Sequence, residues 1–305
     1  MTVPSFSAHV LRALHAARTP GWMFPAHFLD LYFEQPVSER GAVACLHIGP
    51  HCTEASGRVA KTAMAVLADV SMAAAVRGYV GHSVRIATMS LRLSFHLQPT
   101  QGLLRAVAQV RFLPQGLAMG VAVVSLDIKT DEGVLCCVGE GTFAVLENKH
   151  GTVSHPLPTA STLTGTLSVD VLTEAEQAVW QQAQRSETHA SDHCSPMECF
   201  WGLQSAETGE RAAQRSICIG KHNSNRVGHL QGGIVLGVLA DACATPNHAL
   251  VDISVQYLEP VAGSQTCVLV KPLRTGRNAS LLQAQLVDAS GKLQATALGN
   301  LVRDG

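Results

Sequence analysis

Aromatic residues are scarce. Phe, Tyr and Trp make up 5% of the 305 residues, so stacking platforms for single-stranded nucleic acid are not expected. Charge is sparse too, at 15%, and 22 Lys and Arg stand against 23 Asp and Glu. That balance lacks the basic surplus of a nucleic-acid binder. No apolar stretch of 18 residues runs free of charge, so no membrane-spanning helix is expected. The first 22 residues carry Arg and His where a secretory leader needs an apolar run. No CxxC and no HExxH occurs. The nine cysteines are scattered and odd in number, which fits reduced thiols in a cytoplasmic protein. His222 and His229 have no acid or thiol at ligand spacing, so neither a metal nor a cofactor is expected.

What the chain does contain is apolar residues, at 47%, and a length that suggests about two domains. It also repeats itself. IGPHCTEASG at 48–57 returns as IGKHNSNRVG at 219–228, an offset of 171. Val66-Leu67-Ala68-Asp69 returns as Val238-Leu239-Ala240-Asp241, at an offset of 172. Pro99 and Gly102 return as Pro260 and Gly263. The same order over both segments points to two copies of one unit.

Each copy opens with a short strand, at 42–48 and 212–219. A small-residue apolar helix follows, near 60–78 and 232–244, and then long alternating strands such as SVRIATMSLRLSFHL. Gly116, Gly133, Gly276 and Gly291 fall at the turns. The helix is apolar on most faces and should be wrapped by sheet. The expected class is α+β, with two copies of an antiparallel sheet around a central helix. Boundaries fall at 1–149, 150–180 and 181–305. The middle segment is a Ser/Thr/Gly/Pro-rich linker running into a helix capped by Thr173 and Glu176, and the Ser/His-rich 186–195 reads as a mobile loop. An amphipathic helix is expected over SAHVLRALHAA near the N-terminus.

Asn225-Arg226-Val227-Gly228-His229-Leu230-Gln231-Gly232-Gly233, followed by an apolar helix with Leu-Ala-Asp, resembles the helix-start motif of hotdog-fold acyl-CoA thioesterases in the phenylacetyl-CoA thioesterase branch. The tandem copies resemble a double-hotdog member. One departure is Gln231, which stands where that family often has His. The resemblance implies hydrolysis of an acyl-CoA, with catalytic groups drawn from Asp69, Asn225, Gln231, Gly232 and Gly233. It also implies a supporting hydroxyl on the strand ending at Pro99. Ser90, nine residues before that proline, is the first candidate, with Thr88 beside it. Arg274, Gly276 and Arg277 resemble the family's Gly-Arg turn and are candidates for CoA phosphates. The expected partner is the acyl-CoA, with no nucleic acid and no membrane, and further assembly of the tandem chain is possible.

The chemistry of the motif stands beside the resemblance. Glycines at a helix start admit a ligand close to the backbone, and the first N–H groups there lack intrahelical partners and carry partial positive charge. Such a terminus can hold the oxygen of a polarised thioester carbonyl. A carboxylate from the other copy would serve as nucleophile or as general base; the residues leave both open. At offset 171, Gly232, Gly233 and Asn225 correspond to Lys61, Thr62 and Glu54, so the first copy lacks the glycines and the amide. Asp69 lies seven residues after Thr62, whereas Asp241 lies eight after Gly233, a difference of about 100° on a helix. One working site, built from Asp69 and Gln231-Gly232-Gly233, is therefore expected, with Asp241 pointing elsewhere. Two other readings remain: a non-catalytic acyl-CoA-binding double hotdog, and an enoyl-CoA hydratase-like lyase. The lyase is disfavoured because no Asp-x4-His dyad stands at the helix start.

Overall fold

The computed structural model describes residues 5–39, 41–81, 84–113, 120–147, 157–202, 204–205, 215–245 and 247–303. In chain order the helices are α1 (Phe6–Ala16), α2 (Phe24–Phe28), α3 (Lys61–Val80), α4 (Glu174–His189), α5 (Pro196–Trp201) and α6 (Gly232–Ala242). The first six strands are β1 (Tyr32–Phe33), β2 (Ala42–His47), β3 (Val84–Phe95), β4 (Leu103–Phe112), β5 (Gly120–Thr130) and β6 (Leu135–Glu147). The other six are β7 (Gln204–Ser205), β8 (Arg215–Cys218), β9 (His248–Tyr257), β10 (Gln265–Thr275), β11 (Ala279–Val287) and β12 (Leu293–Arg303).

All twelve strands join one antiparallel sheet in the order β1-β2-β4-β5-β6-β3-β9-β12-β11-β10-β8-β7. The order reads alike from both edges. The seam is β3 against β9, with Ser90 opposite Gln256 and Ser94 opposite Asp252. On β3 the alternation predicted by a period of two is realised: Leu91, Leu93 and Phe95 are buried and Arg92 is exposed.

The twenty-residue α3 is long and apolar enough to cross a membrane by length and composition. Here it is a core helix. Fourteen of its residues are buried, Asp69 among them, and it packs on β2 to β6 and on α6. A helix apolar all round needs such a wrapping.

The loops before α3 and α6 share their geometry. Thr53 bridges Val59 and Ser224 bridges Leu230, both pairs at the offset of 171. Gly57 (φ 77°) and Gly228 (φ 81°) take the same left-handed turn, which explains why both are glycine. Val59 N–H donates to Pro99 O and Leu230 N–H to Val261 O, each at 2.8 Å.

Thr173 and Glu176 form the reciprocal cap expected for α4. The 186–195 stretch departs from expectation. Helix α4 continues to His189, a Ser191–Cys194 bridge follows, and Ser195 caps α5, so this stretch is largely ordered by side-chain caps. Gly116, and 150–156 of the linker, lie outside the described residues.

Candidate active site

The site is set by the crossing of α3 and α6. A Cβ on Gly233 would lie 2.5 Å from Val66 Cα, and one on Gly237 would lie 2.6 Å from Thr62 Cα. Two glycines one turn apart therefore let the α6 backbone rest directly on α3. For Gly233 this replaces the sequence reading: its missing side chain makes room for a helix rather than for a ligand. Gly232 differs. A Cβ there would meet the Asp69 carboxylate, with Oδ2 at 2.9 Å.

Asp69, on α3, is 7% exposed and faces the start of α6. Its Oδ2 accepts from Gln231 Nε2 at 2.6 Å, and its Oδ1 accepts from Thr88 Oγ1 at 3.0 Å. Burial pushes the Asp69 carboxyl up to about 6, while the Thr88 hydroxyl and the Gly233 N–H pull the other way. Gln231 is the N-cap of α6, and its Oε1 accepts from Ile234 N–H at 2.9 Å. That bond commits the amide oxygen to the helix, so the amide nitrogen must face the carboxylate. Gln231 N–H in turn donates to the carbonyl of the fully buried Asn223, which fixes the cap.

The structure thus brings together Asp69, Gln231, Gly232, Gly233 and Thr88, and leaves other predicted residues elsewhere. Asn225 does not reach Asp69. Its Oδ1 accepts from Val227 and His229 N–H at 3.0 and 3.1 Å, so it closes its own turn as Asn side chains commonly do. Ser90, the first candidate hydroxyl, pairs with Thr142 at 2.5 Å. A register shift between Thr88 and Ser90 re-aims this strand, and Thr88 supplies the hydroxyl. Arg274, Gly276 and Arg277 lie at the far end of the sheet. Their turn adjoins β12 where Arg303 pairs with His248, while Asp69 sits near Tyr257 at the other end of β9. Nine residues of strand, about 30 Å, separate the two ends.

Asp241 also departs from expectation. Its Oδ2 accepts from Thr62 Oγ1 at 3.4 Å, so it does face the start of α3. Burial, with Glu54 nearby, pushes the Asp241 carboxyl up to about 7, against the pull of Lys61. The surroundings differ sharply from those of Asp69. Ala60, the counterpart of Gln231, caps α3 with no side-chain bond. Lys61 Nζ donates to Gln98, and Gln98 donates to Glu54, both at 3.0 Å. Helix α5 is fastened over the same loop, with Ala55 N–H on Glu198 Oε2 at 2.9 Å and Ser195 Oγ on Thr53 O at 2.7 Å.

Sequence reasoning missed Tyr257, at the end of β9, whose hydroxyl donates to Gly232 O at 2.6 Å. Burial and the neighbouring Asp69 charge hold its hydroxyl well above the usual range. Its place three residues before Pro260, the repeat's own landmark, was the available signal. His47 and His51 stand four apart, as do His189 and His193, a spacing that metal sites use. The His51 ring stacks on His9 at 4.6 Å, and burial brings it down to about 3. Among the described residues no three ligating groups converge.

Residues 221–300 match the family model described as the acyl-CoA thioesterase N-terminal domain. Three solved structures are similar over nearly the whole chain. A provisionally named oleoyl thioesterase of Lactobacillus plantarum is 10% identical, covers 90% of this chain and 97% of its own, and has a TM-score of 0.56. A conserved protein of unknown function with a hot dog fold from Alicyclobacillus acidocaldarius is 12% identical, covering 91% and 98%, with a TM-score of 0.55. The tesB protein of Mycobacterium avium subspecies paratuberculosis is 9% identical, covering 90% and 96%, with a TM-score of 0.52. At these identities the likeness concerns the fold. No curated protein matches the chain in sequence. The resemblance to hotdog-fold thioesterases read from the residues is thus met by a family match in the second half and a fold match over both.

Proposed function

We propose that this chain hydrolyses an acyl-CoA thioester at one site between two hotdog units of a single chain, 1–149 and 181–305, joined by 150–180. The observation that carries the reading is the 2.6 Å bond from Gln231 Nε2 at the start of α6 to Asp69 Oδ2 on α3. It joins a carboxylate of one repeat to a helix N-terminus of the other. The palindromic strand order and the shared loop geometry at an offset of 171 support the tandem reading.

Asp69 acts as the general base. With its carboxyl near 6 it is ionised at neutral pH yet basic enough to take a proton from water. The resulting hydroxide attacks the thioester carbonyl carbon as the π electrons move to oxygen. The first N–H of α6, on Gly232, bonds no carbonyl or side chain among the described residues and is placed to receive that oxyanion. Collapse breaks the carbon–sulfur bond, and the proton held on Asp69 passes to the departing CoA thiolate. Thr88 and Gln231 keep both carboxylate oxygens oriented throughout. The Asp241 half has no such amide, is crossed by the Lys61–Gln98–Glu54 chain and is covered by α5, and we assign it a structural role.

The test is a panel of acyl-CoAs assayed for free thiol, followed by one turnover in ¹⁸O-labelled water on the best substrate. Label in the free acid from the first turnover is expected. Label retained in the Asp69 peptide would replace the base with a nucleophile. Saturable binding with no thiol release across the panel would overturn hydrolysis in favour of a binding module.

A further inference from the structure

The two strands that meet at the seam end alike. Phe95 closes β3 and Tyr257 closes β9, 162 residues apart. Backbone bonds keep to the same spacing. His96 and Leu97 N–H both donate to Cys136 O, at 2.8 and 3.1 Å, and Leu258 and Glu259 N–H both donate to Gln294 O, at 2.9 and 3.1 Å. The carbonyls that receive Val59 and Leu230, those of Pro99 and Val261, also stand 162 residues apart. Phe95 and Tyr257 therefore occupy one position in the two repeats.

Each ring stands at the first residue of a core helix. Lys61 opens α3, and its Nζ lies 6.0 Å from the centre of the Phe95 ring. Gly232 opens α6, and its carbonyl accepts from the Tyr257 hydroxyl at 2.6 Å. Phe95 is buried and has no polar side-chain atom, so packing is all it supplies. The second repeat adds one hydroxyl to that ring, in the half whose helix start faces Asp69. The helix does not require it, because an α-helix already offers the Gly232 carbonyl the N–H four residues on.

Connectivity gives the hydroxyl its use. Gly232 C=O and Gly233 N–H belong to one peptide group, planar and trans, so its oxygen and its N–H point in opposite directions. The N–H end donates to Asp69, and the oxygen end is held by Tyr257. A bond at the oxygen fixes the plane of the group and polarises its N–H, because linked hydrogen bonds strengthen one another. We propose that Tyr257 is a positioning residue for the reaction, which acts through the Gly232–Gly233 peptide to aim and strengthen the backbone donor that holds the Asp69 carboxylate. The inference rests on the reading of Asp69 as the base. It adds to Thr88 and Gln231 a group that works without bonding the carboxylate itself. The groups that face Asp69 are Thr88 from β3, Gln231 and the Gly233 N–H from α6, and Tyr257 from β9, which feels its charge. Of these only Tyr257 titrates, and burial with that charge holds its hydroxyl protonated well beyond the usual range. A titration near neutrality therefore reports Asp69.

The test is Tyr257→Phe, which installs the residue the first repeat carries at this position. It is expected to fold, with Tm lower by no more than about 3 °C, the scale of one lost neutral hydrogen bond. The first readout is the ¹³C carboxyl titration of Asp69, assigned by its disappearance in Asp69→Asn. The midpoint is expected near 6 in the parent. In Tyr257→Phe it should stand about 0.5 higher on the pH scale, as weakening of a charge-assisted bond by the loss of its cooperative neighbour predicts. The second readout is kinetic. The acid limb of kcat/KM should move with the midpoint, and the limiting kcat should fall about three-fold or more while KM stays within about two-fold. Para-aminophenylalanine at 257 retains a donor and should restore both. An unmoved Asp69 midpoint in Tyr257→Phe would overturn the proposal. So would a variant that fails to fold, or losses that the amine leaves unrestored, since either would mark the hydroxyl as structural. The carboxyl titration needs no turnover, so a moved midpoint supports the coupling even in a chain that cleaves no thioester, where hydrolysis alone would fall.

Discussion

Gln231 bonds in two directions at once: its Oε1 caps Ile234 N–H at 2.9 Å and its Nε2 holds Asp69 Oδ2 at 2.6 Å. One side chain therefore ends a helix of one repeat and orients the carboxylate of the other. Gln231→Glu keeps an acceptor for the cap but turns the donor into a second carboxylate facing Asp69. Like charges at that distance drive Asp69 to hold its proton. The acid limb of kcat/KM should move to higher pH, and kcat at pH 7 should fall by about 10²-fold or more, the scale on which misdirected active-site hydrogen bonds are felt. An unshifted pH profile would show that this amide does not tune Asp69.

The two glycines at the start of α6 should separate in their effects. Gly233→Ala drives a methyl into the α3 backbone at Val66, and overpacking of this kind costs about 1–3 kcal/mol. Thermal unfolding should show a lowered Tm. Gly232→Ala instead pushes on the end of the Asp69 side chain, whose carboxylate atoms are the nearest neighbours of the added methyl, with Oδ2 at 2.9 Å. Tm should hold while kcat drops. If Gly232→Ala lost stability as Gly233→Ala does, Asp69 would be more rigidly held than its three side-chain and backbone donors suggest.

The supporting hydroxyl is assigned to Thr88 and not to Ser90. Thr88→Val removes a bond to the reacting carboxylate while preserving shape, and about a ten-fold loss of kcat is expected. Ser90→Ala breaks a pair with Thr142 away from Asp69 and should leave kcat within about two-fold. Steady-state rates on one acyl-CoA decide between them, and the reverse order of effects would reject the assignment.

Much of this was legible because it is periodic or local. The alternation of β3, the apolar wrap of α3 and the capping of α4 follow from residue spacing alone. The repeat offsets predicted that Asp69 and Gln231 belong to equivalent loops and helices, which is why the pairing across copies could be expected. What was not legible depends on where strands end up in the sheet. The Arg274–Arg277 turn has the right composition for phosphates but lies about 30 Å of strand from Asp69, and only register reveals that. The choice between Thr88 and Ser90 turned on a bulge, which leaves no mark in a pattern with a period of two. Asn225 offered an amide at a plausible position, yet its own turn claimed it.

The two aspartates should part in activity while agreeing in stability. Asp69 has its carboxyl raised from 3.8 to about 6, so the folded state holds the proton more tightly than the unfolded chain. The favourable contribution is complete below the unfolded value and is lost as pH rises through the folded one, leaving the ionised group destabilising at neutral pH by roughly 3 kcal/mol. Asp69→Asn removes that cost. Its oxygen can still accept from Gln231 and its amide can donate to Thr88, so Tm at pH 7 should rise, and the gain should vanish near pH 4. Asp241, raised to about 7, follows the same sign, with its contribution fading as pH climbs past neutrality. Only Asp69 faces Gln231 and the free end of α6, so only Asp69→Asn should abolish turnover while CoA-ester binding persists, the mark of a group used in the transition state. Asp241→Asn faces Thr62 beneath α5 and should keep kcat within about two-fold. Paired measurements of kcat and of Tm against pH settle it. Equal losses of kcat would mean that both halves work, and a loss confined to Asp241→Asn would place the chemistry under α5.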